Sequence, residues 1–192
     1  MRRRNTKLNS NDIFSAIQFA VQAHAGQFRK GTSVPYIVHP LAVGRILAEA
    51  GCAHEIIIAG FLHDTVEDTA VTLDEIRAKF GGRVAELVAA VTETDRSAAW
   101  KVRKQETLDK LQVADDDVLF LALADKIDNM RSIRTGLQRK GERMWKRFNR
   151  PREDQAWYFR SLASCFQARN HQTLASELLP QLIELVDEVF PE

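Results

Sequence analysis

Residues 60–69 read Gly60-Phe61-Leu62-His63-Asp64-Thr65-Val66-Glu67-Asp68-Thr69, and they follow the apolar run Cys52-Ala53-His54-Glu55-Ile56-Ile57-Ile58-Ala59. A histidine and an aspartate at the end of such a run are carried toward the interior, where a charged group needs a partner or a metal. At helical spacing His63 lies one turn before Glu67, and Asp64 lies one turn before Asp68. The stretch therefore predicts one imidazole and three carboxylates close together.

Two interpretations of this cluster fit the stretch equally well. Carboxylates held within one helical turn repel one another and shift each other's pKa values unless a cation lies among them. The cluster is then either a divalent-metal site with additional carboxylates for proton transfer, or the acidic, solvated end of an amphipathic helix. The rest of the chain has to decide between them.

Composition places the chain among ordinary globular proteins. It has 192 residues, 45% of them hydrophobic, two cysteines and a formal net charge of +1. That length predicts one domain, and the charge provides no global attraction to nucleic acid or membranes. Two cysteines are too few for a disulfide framework, and no apolar run approaches the ~20 residues of a membrane span. We therefore expect a cytoplasmic protein.

The first residues differ in character from the rest. Residues 1–8 are basic and lack the apolar core of a secretory signal. We expect a disordered basic N-terminus at 1–8, followed by a single domain at 9–192, because no linker or repeat divides the longer range.

The secondary-structure signals after residue 9 are helical. Thr72-Leu73-Asp74-Glu75 is a capping box, which predicts a helix start. A second apolar run, Val118 to Ala124, follows three aspartates and ends at Asp125, with Asn129 one turn further on. A run that is apolar on all sides predicts a buried helix, here one that carries a carboxylate into the interior. Because no run alternates as a half-buried strand would, the predicted fold class is all-α.

Two further histidines lie on predicted helices. His39 precedes Pro40, which favours the first turn of a helix. A helix N-terminus disfavours imidazolium and so leaves the neutral ring that a metal needs, but the same position fits a capping residue equally well. His24 lies on the apolar face of the first helix, where a hydrogen-bonded core histidine is the favoured interpretation.

Basic side chains are concentrated in three places. Arg29 and Lys30 lie in a loop, where charge alone favours solvated side chains over a phosphate clamp. The predicted helix at 100–111 carries several cations, for which a solvated face is again favoured over substrate contact. Residues 131–152 form a basic region with aromatic residues among the cations. It could bind RNA or cover an anionic substrate, but a solvated face is favoured over either.

Four stretches together resemble a known family. They are Arg29-Lys30-Gly31, Pro35-Tyr36-Ile37-Val38-His39-Pro40, His63-Asp64-Thr65-Val66-Glu67-Asp68-Thr69 and Ala124-Asp125-Lys126-Ile127-Asp128-Asn129-Met130-Arg131. The order histidine, His-Asp, aspartate resembles the HD phosphohydrolase superfamily. The complete stretches resemble the hydrolase domain of the RelA/SpoT family, and most closely its stand-alone, hydrolase-only small alarmone hydrolases. The resemblance extends from about residue 10 to the C-terminus, and it leaves no residues for a synthetase or regulatory domain.

The resemblance implies a single HD-domain helical bundle with a buried divalent-metal site. The family's metal ligands are matched by His39, His63, Asp64 and Asp125. The metal is usually Mn²⁺, and Fe²⁺ or Zn²⁺ also suits a mixed imidazole and carboxylate shell. The catalytic acids, which position and deprotonate a water, are matched by Glu67 and Asp68. Substrate contacts are matched by Arg29, Lys30, Asn129 and Tyr158.

The implied reaction is hydrolysis of guanosine tetra- or pentaphosphate at the 3′ position, giving GDP or GTP and pyrophosphate. Asp128 and Ser132 depart from the residues frequent in the family, and we expect both to border the nucleobase or ribose. The alternatives are an HD enzyme acting on another nucleotide, such as an adenosine alarmone or NADPH, and a non-enzymatic RNA- or partner-binding module. An antitoxin role would retain the same chemistry. We expect no membrane or nucleic-acid partner, and the oligomeric state stays open.

Overall fold

The computed structural model describes residues 10–93, 95, 97–169 and 178–191 of the chain. Regular structure in these ranges is helical, apart from one isolated antiparallel β-bridge between Phe28 and Pro35. The helices are α1 (Ser10–Ala23), α2 (Val38–Glu49), α3 (His54–Leu62), α4 (Thr65–Asp68), α5 (Leu73–Phe80), α6 (Gly82–Val91), α7 (Trp100–Val113), α8 (Asp116–Lys140), a 3₁₀ helix (Gly141–Arg147), α9 (Arg152–Ala168) and α10 (Leu178–Val189). The all-α prediction is confirmed, whereas the predicted disorder at 1–8 lies outside the described residues.

Side-chain caps begin two of these helices. The Thr72 hydroxyl accepts from the Glu75 N–H at 3.3 Å, and the Glu75 carboxylate accepts from the Thr72 N–H at 2.7 Å. This is the predicted capping box. Asp115 caps α8 by accepting from the Val118 N–H at 3.0 Å. Such bonds satisfy N–H groups that have no partner within the first turn of a helix.

The first half of α8 lies at the centre of the fold. Leu119, Leu121 and Ile127 are fully buried there, and α8 packs against α2, α3, α6 and α10. Neighbours on all sides are what a helix with apolar residues on all sides requires. Asp125 therefore reaches the interior, as the sequence predicts. Within the described part of the chain, no helix has both the length and the hydropathy to cross a membrane.

Helices α2 and α3 approach closely at two glycines. A Cβ on Gly44 would lie 2.3 Å from the Phe61 ring, and a Cβ on Gly60 would lie 2.6 Å from Leu47 Cδ1 and 3.2 Å from Gly44 Cα. A larger residue at either position would push the two helices apart. Because α2 begins beside one metal-ligand candidate and α3 ends beside another, this contact sets their separation.

The stretch 60–69 is not one continuous helix. Helix α3 ends at Leu62 and α4 begins at Thr65, although His63 and Asp64 keep helical backbone angles. The Thr65 hydroxyl donates to the Leu62 carbonyl at 2.7 Å, and a side-chain bond of this kind competes with the main-chain hydrogen-bond ladder. The interruption places His63 and Asp64 in a turn that faces α8.

Candidate metal centre and surrounding cleft

Three segments bring the predicted metal ligands together. His39 lies in the first turn of α2, His63 and Asp64 lie between α3 and α4, and Asp125 lies in the buried half of α8. His39 and His63 are 2% and 4% exposed. Buried ionisable groups at the meeting point of separate elements need one another, or a metal, as partners.

Distances define a compact cluster. Asp64 Oδ2 lies 3.4 Å from His39 Nε2 and 3.1 Å from His63 Nε2. Asp125 Oδ1 lies 3.2 Å and 3.8 Å from the same two nitrogens. Ligand atoms of His39, His63 and Asp125 all lie within 4.8 Å of one another, and Asp64 closes the set through its contacts with both imidazoles.

In each imidazole, the hydrogen bond of the outer nitrogen, Nδ1, determines the direction of the inner nitrogen, Nε2. His63 Nδ1 lies 2.9 Å from the Gly60 carbonyl, which can only accept, so Nδ1 carries the proton. His63 Nε2 is buried and has no hydrogen-bond partner among the described residues. His39 Nδ1 lies 2.6 Å from Asp128 Oδ2, which likewise directs Nε2 into the cluster.

The electrostatics of the cluster fit a dication. Burial opposes the charged form of His39, but Asp125, Asp128 and Asp64 outweigh it and raise its pKa to about 10. The pKa of His63 is also raised against burial, chiefly by Asp64. Against the same burial, the imidazoles hold the pKa of Asp64 well below its usual range, and Lys126 with the imidazoles does the same for Asp125. The imidazoles and the carboxylates thus favour each other's charged forms in this buried cluster, and a divalent ion would stabilise the carboxylates in the same way.

These residues therefore could hold a divalent metal. The donor set is two imidazole nitrogens with two carboxylates, and one of those nitrogens is otherwise an unsatisfied buried polar atom. A mixed nitrogen and oxygen set of this kind suits several first-row metals, so it does not by itself select one.

Asp125 has two further partners on its own helix. Lys126 Nζ lies 2.6 Å from Asp125 Oδ2, and the Asn129 amide donates to Asp125 Oδ1. The one-turn relation between Asp125 and Asn129 confirms that both lie on one face of α8, as their spacing predicts.

The predicted catalytic acids line the same cleft. Tyr36 donates to Asp64 Oδ2 at 2.6 Å and also lies 3.2 Å from Asp68 Oδ2. Glu67 accepts from the Glu93 N–H at 3.2 Å. Burial raises the pKa of Glu67, the hydrogen bond from the Glu93 N–H opposes this effect in part, and the nearby carboxylate of Asp64 adds to it. A carboxyl group with a raised pKa is a stronger proton acceptor once ionised.

The predicted substrate residues lie around the opening of the cleft. Arg29 reaches Asp128 Oδ2 at 3.3 Å and Asn129 Oδ1 at 3.4 Å, and Lys30 donates to Asn149 at 2.8 Å. Tyr158 is 4% exposed, and its hydroxyl has no hydrogen-bond partner among the described residues. Arg29 therefore contacts residues beside the centre, whereas Lys30 contacts Asn149 and lines a neighbouring cavity together with Asn129 and Tyr158.

A cavity of about 560 Å³ extends from the metal centre past Tyr158 toward α7. Arg103 and Lys104 of α7 line it, and both bind the Glu93 carboxylate, Lys104 at 2.6 Å. The prediction of a solvated face is wrong for these two cations, because Glu93 draws them inward. The charge pattern of α7 alone could not reveal Glu93 as their partner.

Asp128 has a contact that the sequence did not predict. That it borders the nucleobase or ribose stays a prediction, and in the structure its carboxylate holds His39 Nδ1. It lies three residues after Asp125 on α8, so both carboxylates reach the same imidazole from adjacent turns. The spacing of Asp125 and Asp128 on one helix was the sequence signal for this contact. It identifies His39 as their partner only once α2 is known to pack against α8.

The aromatic residues of the basic region pack partly against the core. The Trp145 ring lies 5.5 Å from the Phe190 ring and 5.7 Å from the Phe148 ring, and its indole nitrogen is buried. Trp145 and Phe148 are both half-buried, and Phe148 also lines a cavity together with Arg147. His24 is likewise a core residue, as predicted, with Nδ1 2.8 Å from the Gln27 side-chain oxygen.

Curated proteins match most of this domain. The family model described as HD domain matches residues 16–153. The guanosine-3′,5′-bis(diphosphate) 3′-pyrophosphohydrolase of Aquifex aeolicus is 44% identical over 128 residues, which cover 65% of this chain and 18% of that protein. The protein of the same name from Haemophilus influenzae is 38% identical over 120 residues, covering 59% and 17%. The chain thus spans less than a fifth of these relatives' length.

Two solved structures match over nearly their whole length. Lmo0812 of Listeria monocytogenes has a TM-score of 0.75 and 35% identity, covering 80% of this chain and 99% of that one. A structure described as a metazoan ortholog of SpoT that hydrolyzes ppGpp has a TM-score of 0.74 and 26% identity, covering 93% and 95%. The chain therefore belongs to the HD domain family, and its domain is of the RelA/SpoT hydrolase type.

Proposed function

We propose that the protein hydrolyses guanosine tetra- and pentaphosphate at the 3′ position, releasing pyrophosphate and GDP or GTP. The observation that carries the proposal is the convergence of two imidazoles and two carboxylates on a cleft that also contains Glu67 and Asp68. We propose this reaction because it is the one for which the similar proteins are named. The cleft contains the residue types that the reaction needs. The substrate is a small nucleotide, and a cytoplasmic location remains a prediction.

The metal ligands in this proposal are His39, His63, Asp64 and Asp125. When bound there, a divalent ion supplies Lewis acidity toward water and phosphoryl oxygens. We propose Mn²⁺, and Fe²⁺ and Zn²⁺ are compatible with the same donors. Asp128 orients His39, and the Gly60 carbonyl orients His63, so both imidazoles present Nε2 without rearrangement.

Glu67 and Asp68 activate and position the water that attacks the substrate. The raised pKa of Glu67 suits a carboxylate that takes a proton from water and passes it on. Tyr36 contacts both Asp64 and Asp68, so it keeps the second carboxylate beside the centre. We assign proton acceptance to Glu67 and positioning of the water to Asp68.

The cations around the cleft bind the phosphate charges. Arg29 offers a forked guanidinium, whereas Lys30 and Lys104 offer compact charges that suit single phosphoryl oxygens. Tyr158 lines the cleft, and its hydroxyl is buried with no hydrogen-bond partner among the described residues. Such a hydroxyl gains a hydrogen bond when a polar substrate arrives, which favours binding of phosphate or ribose oxygens.

A substrate comparison tests this proposal. The values of kcat/KM with Mn²⁺ are measured for guanosine tetraphosphate, its adenosine counterpart and NADPH, with products separated by ion-exchange chromatography. The expected result is the highest kcat/KM for the guanosine compound, with GDP and pyrophosphate as products. Cleavage of NADPH or the adenosine compound without cleavage of guanosine tetraphosphate would overturn the substrate while leaving the reaction class in place.

A further inference from the structure

A second cavity of about 710 Å³ lies beside the cleft, and Arg29 and His39 are among the residues that line it. It is bounded by the loop 31–34, the C-terminal half of α8 and the 3₁₀ helix, and we refer to it as the basic groove. Its cations are Arg29, Arg131, Arg139, Lys140, Arg143, Lys146 and Arg147. Asp128 is the only carboxylate among its described lining residues.

The positive charge of the basic groove is not neutralised from within. Asp128 is already held by His39 at 2.6 Å and by Arg29 at 3.3 Å. Arg131 donates to a neutral side-chain oxygen, that of Gln181, at 2.8 Å. Burial lowers the pKa of Arg147, and the like charge of the neighbouring Arg29 lowers it further. Cations gathered in this way are stabilised by an anion among them.

The walls of the basic groove are held by close packing. A Cβ on Gly31 would lie 2.7 Å from Arg147 Cβ, and a Cβ on Gly136 would lie 2.6 Å from Met144 Cγ. Lys140 Nζ lies 3.4 Å from the Gly31 carbonyl, so it spans the loop and the helix. Loop, helix and 3₁₀ helix are therefore assembled before any ligand arrives, which lowers the entropic cost of binding.

We propose that the basic groove binds an oligophosphate anion, either pyrophosphate or the polyphosphate tail of a nucleotide, at its cluster of cations, beside the metal ligand His39 that also borders the groove. Its volume is in the range of about 300–1,000 Å³ that is typical of small-molecule pockets. Nucleic-acid sites of comparable charge add aromatic rings on which bases stack. The described lining of the groove contains no Trp, Tyr or Phe, so a small phosphorylated ligand is favoured over RNA.

The test variants avoid residues shared with the metal centre. Arg29 contacts Asp128, which holds His39, so a change at Arg29 would disturb both sites. Arg139 and Arg143 are exposed and line only the basic groove among the described cavities. The double substitution Arg139→Glu and Arg143→Glu therefore reverses charge in the groove alone.

Calorimetric titration of the full chain with pyrophosphate, ATP and an RNA dodecamer, in separate experiments, measures the binding. Arg45→Glu with Arg77→Glu is the matched control, because it makes the same change in net charge on α2 and α5. Lys104→Ala tests whether the phosphate ligand binds in the metal-centre cavity. We expect pyrophosphate or ATP to bind the wild-type chain. The affinity of the groove variant should be lower by roughly tenfold or more. The affinities of the control variant and of Lys104→Ala should lie within about twofold of the wild-type value. The relative affinities for pyrophosphate and ATP distinguish the two sources of phosphate.

Three results would overturn the inference. They are unchanged affinity in the groove variant, equal loss in the charge-matched control, and binding of RNA without binding of pyrophosphate or ATP. If thermal unfolding shows that the Glu variant is not folded, Arg139→Gln with Arg143→Gln replaces it, with the same direction of effect expected.

A kinetic measurement distinguishes this site from the substrate cleft. Of the tests described, only this measurement rests on the proposed function. The groove variant should hydrolyse guanosine tetraphosphate with unchanged kcat and KM. A KM that rises in parallel with the loss of pyrophosphate binding would make the groove part of the substrate site and overturn the proposal. Because binding is measured without turnover, failure of the hydrolase proposal would leave the binding result intact.

Discussion

At the scale of single residues, the centre depends on two imidazoles whose outer nitrogens are both occupied. His63 Nδ1 bonds to the Gly60 carbonyl and His39 Nδ1 bonds to Asp128. Each bond determines which nitrogen faces the cluster, and the two carboxylates complete the donor set. Metal binding and proton transfer are therefore assigned to different side chains, which makes the two roles separable by substitution.

Asp64→Ala and Glu67→Ala should have different consequences. Loss of Asp64 removes a carboxylate that contacts both imidazoles, so both metal content and hydrolysis should be lost. Glu67→Ala should keep the metal and lower kcat by about 10²–10⁴-fold, the typical contribution of a general base. Metal content by elemental analysis and kcat for guanosine tetraphosphate check both. Near-normal turnover in Glu67→Ala would exclude it as the proton acceptor.

Asp128→Asn should weaken Mn²⁺ binding by about 10–100-fold, the usual effect of removing a partner that orients a metal-binding histidine. The amide is a weaker acceptor for His39 Nδ1 than the carboxylate is. The measurement is the dissociation constant for Mn²⁺, with Asp109→Asn on the exposed face of α7 as the control. Equal affinity in the two variants would show that Asp128 does not orient the ligand.

The sequence could predict the central residues but not their supporting partners. His39, His63, Asp64 and Asp125 belong to recognisable stretches, and the fold brings all four together. Asp128 could not be assigned to His39 without knowing that α2 packs against α8. The inward direction of Arg103 and Lys104 similarly depends on Glu93, which lies outside the helix that carries them.

At the scale of elements, the glycine contact between α2 and α3 determines how far His39 lies from His63. Helix α2 delivers one imidazole from its first turn, and α3 delivers the other directly after its last residue. The sequence predicted both helices, but a glycine in a helical pattern does not show what it will approach. The interruption after Leu62 was also missed, because it depends on the Thr65 hydroxyl.

Gly60→Ala should destabilise the protein and reduce metal binding. Its Cβ would lie 3.2 Å from Gly44 Cα and closer still to Leu47, and overpacking of this kind costs about 1–3 kcal/mol. For a chain of this size that corresponds to a decrease in Tm of roughly 2–12 °C. The control is Gly82→Ala at the start of α6, where an added Cβ meets nothing within 4 Å. Equal Tm values for the two variants would contradict the close-contact argument.

At the scale of the whole molecule, the proposed ligands tie together α2, the turn between α3 and α4, and α8. These segments are distant in the sequence, so a metal that binds only the folded state stabilises their arrangement. The long central helix and the all-α class were predictable from apolar patterning. The two cavities that share His39 as a lining residue were not, because they form between elements whose packing the sequence pattern leaves open.

Adding Mn²⁺ to metal-stripped protein should therefore raise Tm. At a free concentration of about 100 times the dissociation constant, the gain is about 2.7 kcal/mol, or roughly 5–11 °C for a chain of this length. Scanning calorimetry with and without Mn²⁺ measures the shift, and Asp64→Ala should show little of it. An equal shift in Asp64→Ala would place the stabilising ion elsewhere on the protein.

The central claim is that the histidine and aspartate cluster forms a metal-dependent centre for removing a 3′ diphosphate. The most direct measurement is product analysis after metal-stripped protein is incubated with guanosine tetraphosphate, with and without Mn²⁺. The account predicts GDP and pyrophosphate in the sample with Mn²⁺ and unchanged nucleotide in the sample without it. Equal release of GDP and pyrophosphate in both samples would contradict the metal requirement, and no release in either would contradict the proposed reaction.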